Sequence, residues 1–183
     1  MCAGVTTYKA LKELNCVVGS YVAIVGAGGG LGHLAIQYAN AMGFRALAVE
    51  IPKKLEYCSS LGAEFVLDAT SPNTIDTVRE LSEGGCQGVI CIAPYSDAFT
   101  TSIHLARKGG TIVCCGLGNG DFSVTIKGTV DSSRNSYSIH VHLNHIFRSG
   151  LEMSRYKGKN GLSLSMYKTN SVLRGHSWVT GKI

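Results

Sequence analysis

Apolar positions in the first two thirds of this chain fall into short runs and helical stripes that alternate regularly. The sharpest run is Tyr21-Val22-Ala23-Ile24-Val25, five strand-forming residues that stop abruptly at glycine. After the glycines, Leu31, Leu34, Ala35, Tyr38, Ala39 and Met42 recur at helical spacing, and Gly43 follows as a stop. Ala46 to Val49 form a second apolar run, ended by Glu50. Pro52-Lys53-Lys54 then leads into a helix marked by Leu55, Cys58 and Leu61 and closed by Gly62. Glu64 to Leu67 predicts a third strand, ending at Asp68. Ser71-Pro72 predicts a helix start, serine as cap and proline in the first turn, with Ile75, Val78 and Leu81 facing inward. Gly84-Gly85 breaks that helix. Val89 to Ala93 is apolar on both faces, as a central parallel strand must be. Ser96 to Arg107 predicts a helix with Phe99, Ile103 and Ala106 inward. Lys108-Gly109-Gly110 turns the chain into a fifth strand, Thr111 to Cys115, and Val124 to Val130 predicts a sixth. Ahead of all this, Val5 to Leu14 reads as a lead-in helix, with Asn15 and Gly19 as stops.

Strands and helices that alternate with short connections require a parallel sheet covered by helices on both faces, with right-handed crossovers. The predicted class is therefore α/β, a doubly wound sheet of the Rossmann kind with an irregular C-terminal tail. Residues 1–20 form the lead-in, 21–130 the sheet domain and 131–183 a basic polar tail expected to be poorly ordered. Ligands of such sheets bind beyond the carboxyl ends of the strands, where strand order reverses. Gly26–Gly32, Glu50, Ala93-Pro94 and Gly116-Leu117 all fall at those ends.

Charge sharpens the division. The net charge is +5, yet residues 1–120 hold 8 Lys/Arg against 9 Asp/Glu, and residues 121–183 hold 9 against 3. All seven cysteines lie before residue 120, their number is odd, and none forms C-x-x-C. Reduced thiols, and with them a cytoplasmic protein, are the expectation. No long apolar run predicts a membrane span, and no secretory leader is visible. The basic tail carries Tyr137, Tyr156 and Tyr167 without a nucleic-acid-binding motif, so nucleic acid is not expected as a partner. His140, His142 and His145 have metal-like spacing, but no carboxylate or cysteine joins them locally, and an incidental polar segment is the preferred reading. Tyr8 and Lys12 match a Tyr-x-x-x-Lys spacing of some dehydrogenases, but before the glycine loop rather than after it, so the match is taken as chance.

The candidate chemistry sits in Gly26-Ala27-Gly28-Gly29-Gly30-Leu31-Gly32. A glycine loop between a buried strand and a helix start lets backbone approach a pyrophosphate, which the first N–H groups and the helix dipole attract. In the G-x-G-x-x-G frame the loop reads Ala27-x-Gly29-x-x-Gly32, with the first glycine replaced and Gly26 as an extra turn residue. Glu50, about 20 residues on, can accept both ribose hydroxyls of an adenosine and would repel a 2′-phosphate. NAD is the cofactor this predicts.

Cys2-Ala3-Gly4-Val5-Thr6-Thr7-Tyr8-Lys9-Ala10-Leu11, the stretch Val22 to Ala35, Gln37-Tyr38-Ala39, Leu61-Gly62-Ala63-Glu64 and Gly109 to Leu117 together closely resemble zinc-containing alcohol dehydrogenases of the medium-chain superfamily. The resemblance covers about residues 2–120. It implies that Cys2 is a catalytic zinc ligand, that Thr6 stands beside the nicotinamide and that Leu31 backs the nicotinamide ring. It also implies that Gly26, Gly28, Gly29, Gly30 and Gly32 form the pyrophosphate loop, with Glu50 where the family usually has Asp. One of Lys53 and Lys54 matches an adenosine-side lysine, Lys54 being the one assigned. Cys115, Gly116 and Leu117 match the backbone segment at the carboxamide. The implied activity is hydride transfer between a small alcohol or aldehyde and NAD; a homo-oligomer is compatible with it.

The family places about 150 residues ahead of this point, carrying the other zinc ligands and the proton relay, and these have no counterpart here. No residue of this chain is therefore assigned a catalytic role, and zinc is not expected to be held by this chain alone. Two alternatives stand beside the leading reading: a non-catalytic NAD(H)-binding module, and a class I methyltransferase-like domain, which also uses a glycine loop and an acid after its second strand.

Overall fold

A computed structural model of the chain describes residues 2–115 and the strand backbones at 138–142, 151–157 and 163–169. Helix α1 (Cys2–Glu13) precedes strand β1 (Tyr21–Val25), α2 (Gly32–Ala41), β2 (Arg45–Glu50), a 3-10 turn at Pro52–Lys54, α3 (Leu55–Ser60) and β3 (Phe65–Asp68). Then come α4 (Thr74–Leu81), β4 (Cys86–Cys91), α5 (Ser96–Leu105) and β5 (Ala106–Cys114), followed by β6 (Ser138–His142), β7 (Leu151–Lys157) and β8 (Ser163–Thr169). The strands form one sheet in the order β3-β2-β1-β4-β5-β6-β8-β7. All neighbours are parallel except β7 and β8. The strand order reverses between β1 and β4, as the doubly wound class requires.

Alternation along the strands builds two cores. Val22 and Ile24 of β1 pack with Ala10 and Leu11 of α1, with Leu14 just after that helix, and with Ala35, Ile36 and Ala39 of α2. Ala23 and Val25 face the other way, into Leu47, Val49, Val78 of α4, and Phe99 and Leu105 of α5. Nearly all of these side chains are fully buried. Each large one stabilises the fold by about 1.5–3 kcal/mol relative to exposure. The two cores lie on opposite faces of the sheet, and the loop that follows β1 leaves the strand they share.

The structure departs from the sequence reading at several boundaries. Helix α1 starts at Cys2, not Val5. Helix α4 starts at Thr74 with Asn73 in the cap position, two residues later than Ser71-Pro72 suggests. Asp68 explains the delay: its Oδ1 accepts the Thr70 N–H at 2.8 Å and its carbonyl accepts the Thr74 hydroxyl, so a side-chain-closed turn occupies the segment. Strand β4 begins at Cys86 rather than Val89, anchored where the Tyr21 N–H donates to Gln87 Oε1 at 2.8 Å. Helix α5 ends at Leu105, because Ala106 already pairs with Cys86. The chain then bulges through Gly109, whose φ is +76°, before Thr111 rejoins the ladder at Gly88. The strand expected over Val124 to Val130 lies outside the described residues. Within 131–183, where an irregular tail is expected, the structure describes three strands. Segments such as Ser138-Ile139-His140-Val141-His142 alternate polar and apolar over only five to seven residues, a strand period too short-lived to stand out.

Candidate functional site

The site is built where β1 delivers its chain into the glycine loop. The Val25 carbonyl accepts the N–H groups of Ile92 and Ala93 at 2.9 and 3.2 Å, and the Gly26 N–H donates to Val49 O at 3.0 Å. The loop is thus clamped between the carboxyl ends of β2 and β4. Gly26 has φ +84°, and a Cβ there would lie 2.8 Å from the Ala93 nitrogen, so only glycine fits. Ala27 is fully buried with its methyl in the core. This corrects the frame: the tight-turn glycine is Gly26 itself, and the pattern is Gly26-x-x-Gly29-x-x-Gly32. A Cβ on Gly32 would run into the carbonyl oxygens of Gly26 and Ala27, which fixes the close approach of α2 to the loop.

The first turn of α2 is left open on its outer side. The Gly29 N–H donates to Gly26 O at 3.3 Å, His33 N–H to Gly29 O at 3.0 Å and Ala35 N–H to Leu31 O at 2.9 Å. Among the described residues, the N–H groups of Gly30, Leu31 and Gly32 meet no acceptor. Three unsatisfied donors at the positive end of a helix make an anion cradle.

Glu50 is 8 % exposed at the end of β2. Its Oε2 accepts the Gly28 N–H at 2.8 Å and its Oε1 accepts the Ile51 N–H at 2.9 Å. Each oxygen is thereby oriented while keeping lone pairs for a ligand. A Cβ on Gly28 would fall 2.7 Å from Lys54 Cδ and 3.2 Å from Glu50 Cγ, so Gly28, Glu50 and the Lys54 stem share one corner. Lys53 is exposed, whereas Lys54 is half-buried against the loop, which favours Lys54 of the two.

Helix α1 crosses the start of α2. The Thr7 hydroxyl donates to Leu31 O at 3.4 Å, and a Cβ on Gly4 would lie 3.1 Å from the Tyr38 hydroxyl oxygen. Thr6, 8 % exposed, therefore stands next to a residue in direct contact with the loop. Cys115 closes the site's far edge, its N–H donating to Cys91 O at 2.7 Å. Burial pushes its thiol up to about 12, and Cys91 to about 11. Gly116, Leu117 and the Cys2 side chain lie outside the described residues, as does His145; His140 and His142 are described only as backbone of β6. Among the described residues no three of His, Cys, Asp and Glu converge as a metal group.

His33 was not among the expected site residues, yet its Nδ1 lies 3.1 Å from Gly29 O. The sequence signal was its place four residues after a loop glycine, on the first turn of the helix. The backbone partners of Glu50 also have no sequence signature.

A family model described as zinc-binding dehydrogenase matches residues 30–158. The chain is 42 % identical over 146 residues to alcohol dehydrogenase 1 of Caenorhabditis elegans, covering 73 % of this chain and 42 % of that protein. It is 42 % identical over 131 residues to an alcohol dehydrogenase of Moraxella sp. (strain TAE123), covering 71 % and 38 %. The solved alcohol dehydrogenase of Thermus sp. ATN1 superposes with a TM-score of 0.68 at 25 % identity, over 76 % of this chain and 40 % of that one. The chain thus spans about two fifths of the length of the curated relatives it matches.

Proposed function

The chain belongs to the zinc-binding dehydrogenase family, and on that premise we propose that it is the part of an NAD-dependent alcohol dehydrogenase that holds the nicotinamide cofactor. The observation that carries the proposal is the Glu50 carboxylate, buried and oriented by the Gly28 and Ile51 N–H groups beside an open helix start. The residues fit a dinucleotide. Gly26, Gly28, Gly29, Gly30 and Gly32 give the pyrophosphate its backbone cradle, Glu50 takes the adenosine ribose hydroxyls, and Lys54 lies over the same corner. Leu31 and Thr6 form the nicotinamide side, and the Cys115-Gly116-Leu117 backbone meets the carboxamide. When bound, the nicotinamide accepts or gives the hydride exchanged with an alcohol or aldehyde carbon. The protein's part here is to fix the ring's position and shield one of its faces from water.

Zinc does not fit the described residues in the same way. Cys2 is the ligand assigned by resemblance, and no described group of side chains completes a set around a metal. No step of the reaction is assigned to zinc on this chain. A second reading for the chain alone is an NAD(H)-binding module without turnover. Family membership leaves no ground for the methyltransferase-like alternative. The six free thiols among the described residues suit a reducing compartment, and we assign the protein to the cytoplasm on that basis.

Fluorescence titration with NADH and NADPH tests the assignment. Wild type should prefer NADH, because Glu50 bonds the ribose diol and repels a 2′-phosphate. Glu50→Ser should narrow the preference by weakening NADH and admitting NADPH. Equal affinity of wild type for the two cofactors would show that Glu50 does not have this role.

A further inference from the structure

The carbonyl of Gly29 receives two donors from one residue. The His33 backbone N–H reaches it at 3.0 Å, and the His33 ring Nδ1 at 3.1 Å. A carbonyl oxygen only accepts, so Nδ1 carries a proton in this contact. The Gly29 carbonyl and the Gly30 N–H belong to one peptide plane and point in opposite directions. Holding the carbonyl down into the first turn of α2 therefore holds the Gly30 N–H outward, on the open side of the loop. Both residues of that plane are glycine, and no atom lies within 4 Å of where a Gly30 Cβ would stand. A glycine–glycine plane meets little steric resistance to flipping; the His33 backbone N–H holds it once, and the ring N–H adds a second hold from outside the backbone.

We propose that His33 is a positioning residue of the cofactor site: its ring N–H pins the Gly29–Gly30 peptide so that the Gly30 N–H stays aimed at the cofactor's diphosphate. This rests on the proposed NAD(H) reading and names what keeps its phosphate donors in place. The ring acts through the peptide and is assigned no contact with the cofactor. A diphosphate ligand depends on that alignment; a nucleoside, which engages only the Glu50 corner, does not.

The test measures NADH, ADP and adenosine affinities on the full chain for wild type, His33→Ala, His33→Asn and His33→Gln, with thermal unfolding in parallel. His33→Ala should weaken NADH and ADP by roughly 3- to 10-fold, the size of one net hydrogen bond, and leave adenosine unchanged. In His33→Asn the amide nitrogen takes the place of Nδ1, so diphosphate affinity should return close to wild type. His33→Gln moves the amide one bond further out and should behave like alanine. If His33→Ala binds NADH and ADP as wild type does, the inference is overturned. It is equally overturned if adenosine weakens in parallel with ADP, or if asparagine rescues no better than glutamine. Wild type that binds neither NADH nor ADP would instead overturn the cofactor reading itself.

Discussion

At Gly32 the backbone leaves no room for a methyl group, because the obstacles are the carbonyl oxygens of Gly26 and Ala27 rather than movable side chains. Gly30, two residues earlier, faces open space. The pair separates packing from flexibility within one loop. Gly32→Ala must push α2 away from the loop, misaligning the N–H donors and straining the junction. We expect it to weaken NADH binding by at least ~10-fold and to destabilise the fold by about 1–3 kcal/mol, the usual cost of overpacking. Gly30→Ala should fold with near wild-type stability. Urea unfolding and NADH titration on the two variants check this. Equal behaviour of Gly30→Ala and Gly32→Ala would mean that the crowding at Gly32 relaxes freely.

At the scale of elements, the central strands β4 and β5 carry Cys86, Cys91 and Cys114, with Cys115 directly after. Burial raises every one of these thiols; Cys86 and Cys115 reach about 12 and Cys91 about 11, against an ordinary 9.0. The unfolded chain loses these protons near pH 9 while the folded chain keeps them, so it is the folded state that holds more protons above that pH. Stability is therefore fully present below pH ~9 and falls as pH rises towards 11 to 12, at about 1.4 kcal/mol per pH unit for each such thiol. Unfolding measured between pH 9 and 11 should fall less steeply in Cys91→Ala than in wild type by about that amount. Parallel slopes would mean that Cys91 titrates normally in the fold. Strand and helix order over β1 to β5 was legible because each strand is a compact apolar run and each helix a stripe of period 3.6. The glycine loop and Glu50 were legible for the same reason, since their chemistry is local. What was not legible depends on bonds between distant segments. Gln87 extends β4 through Tyr21, and Asp68 delays α4 through Thr70 and Thr74. Ala106 leaves α5 because Cys86 offers it a partner, and the Gly26 frame is decided by Ala93. No window of sequence contains both members of those pairs, apart from Asp68 and its turn, where competing caps read alike.

For the molecule as a whole, the cofactor determinants and the metal determinants are distributed differently. Every proposed contact with the adenosine diphosphate lies in the stretch from Gly26 to Lys54 at the carboxyl ends of β1 and β2, strands with a buried core on each face. Zinc catalysis needs three protein ligands and an open fourth position. Against that, resemblance assigns one ligand, Cys2, and the described residues offer no converging set. Burial raises the thiols of Cys16, Cys58, Cys86, Cys91, Cys114 and Cys115, and none of them has two further metal-ligating side chains beside it among the described residues. On the reading that this chain alone holds no zinc, an alcohol bound near the nicotinamide would have nothing positioned to lower its pKa, and hydride transfer would lack its electrostatic support. Binding and turnover should therefore come apart on this chain. On one preparation, NADH should bind with a fluorescence change, while NAD with ethanol and added zinc should give no NADH above the protein-free control. The same assay with Cys2→Ala should look identical. If zinc-dependent turnover is found and disappears in Cys2→Ala, then Cys2 completes a metal site with partners from residues outside those described, and the chain is a working dehydrogenase by itself.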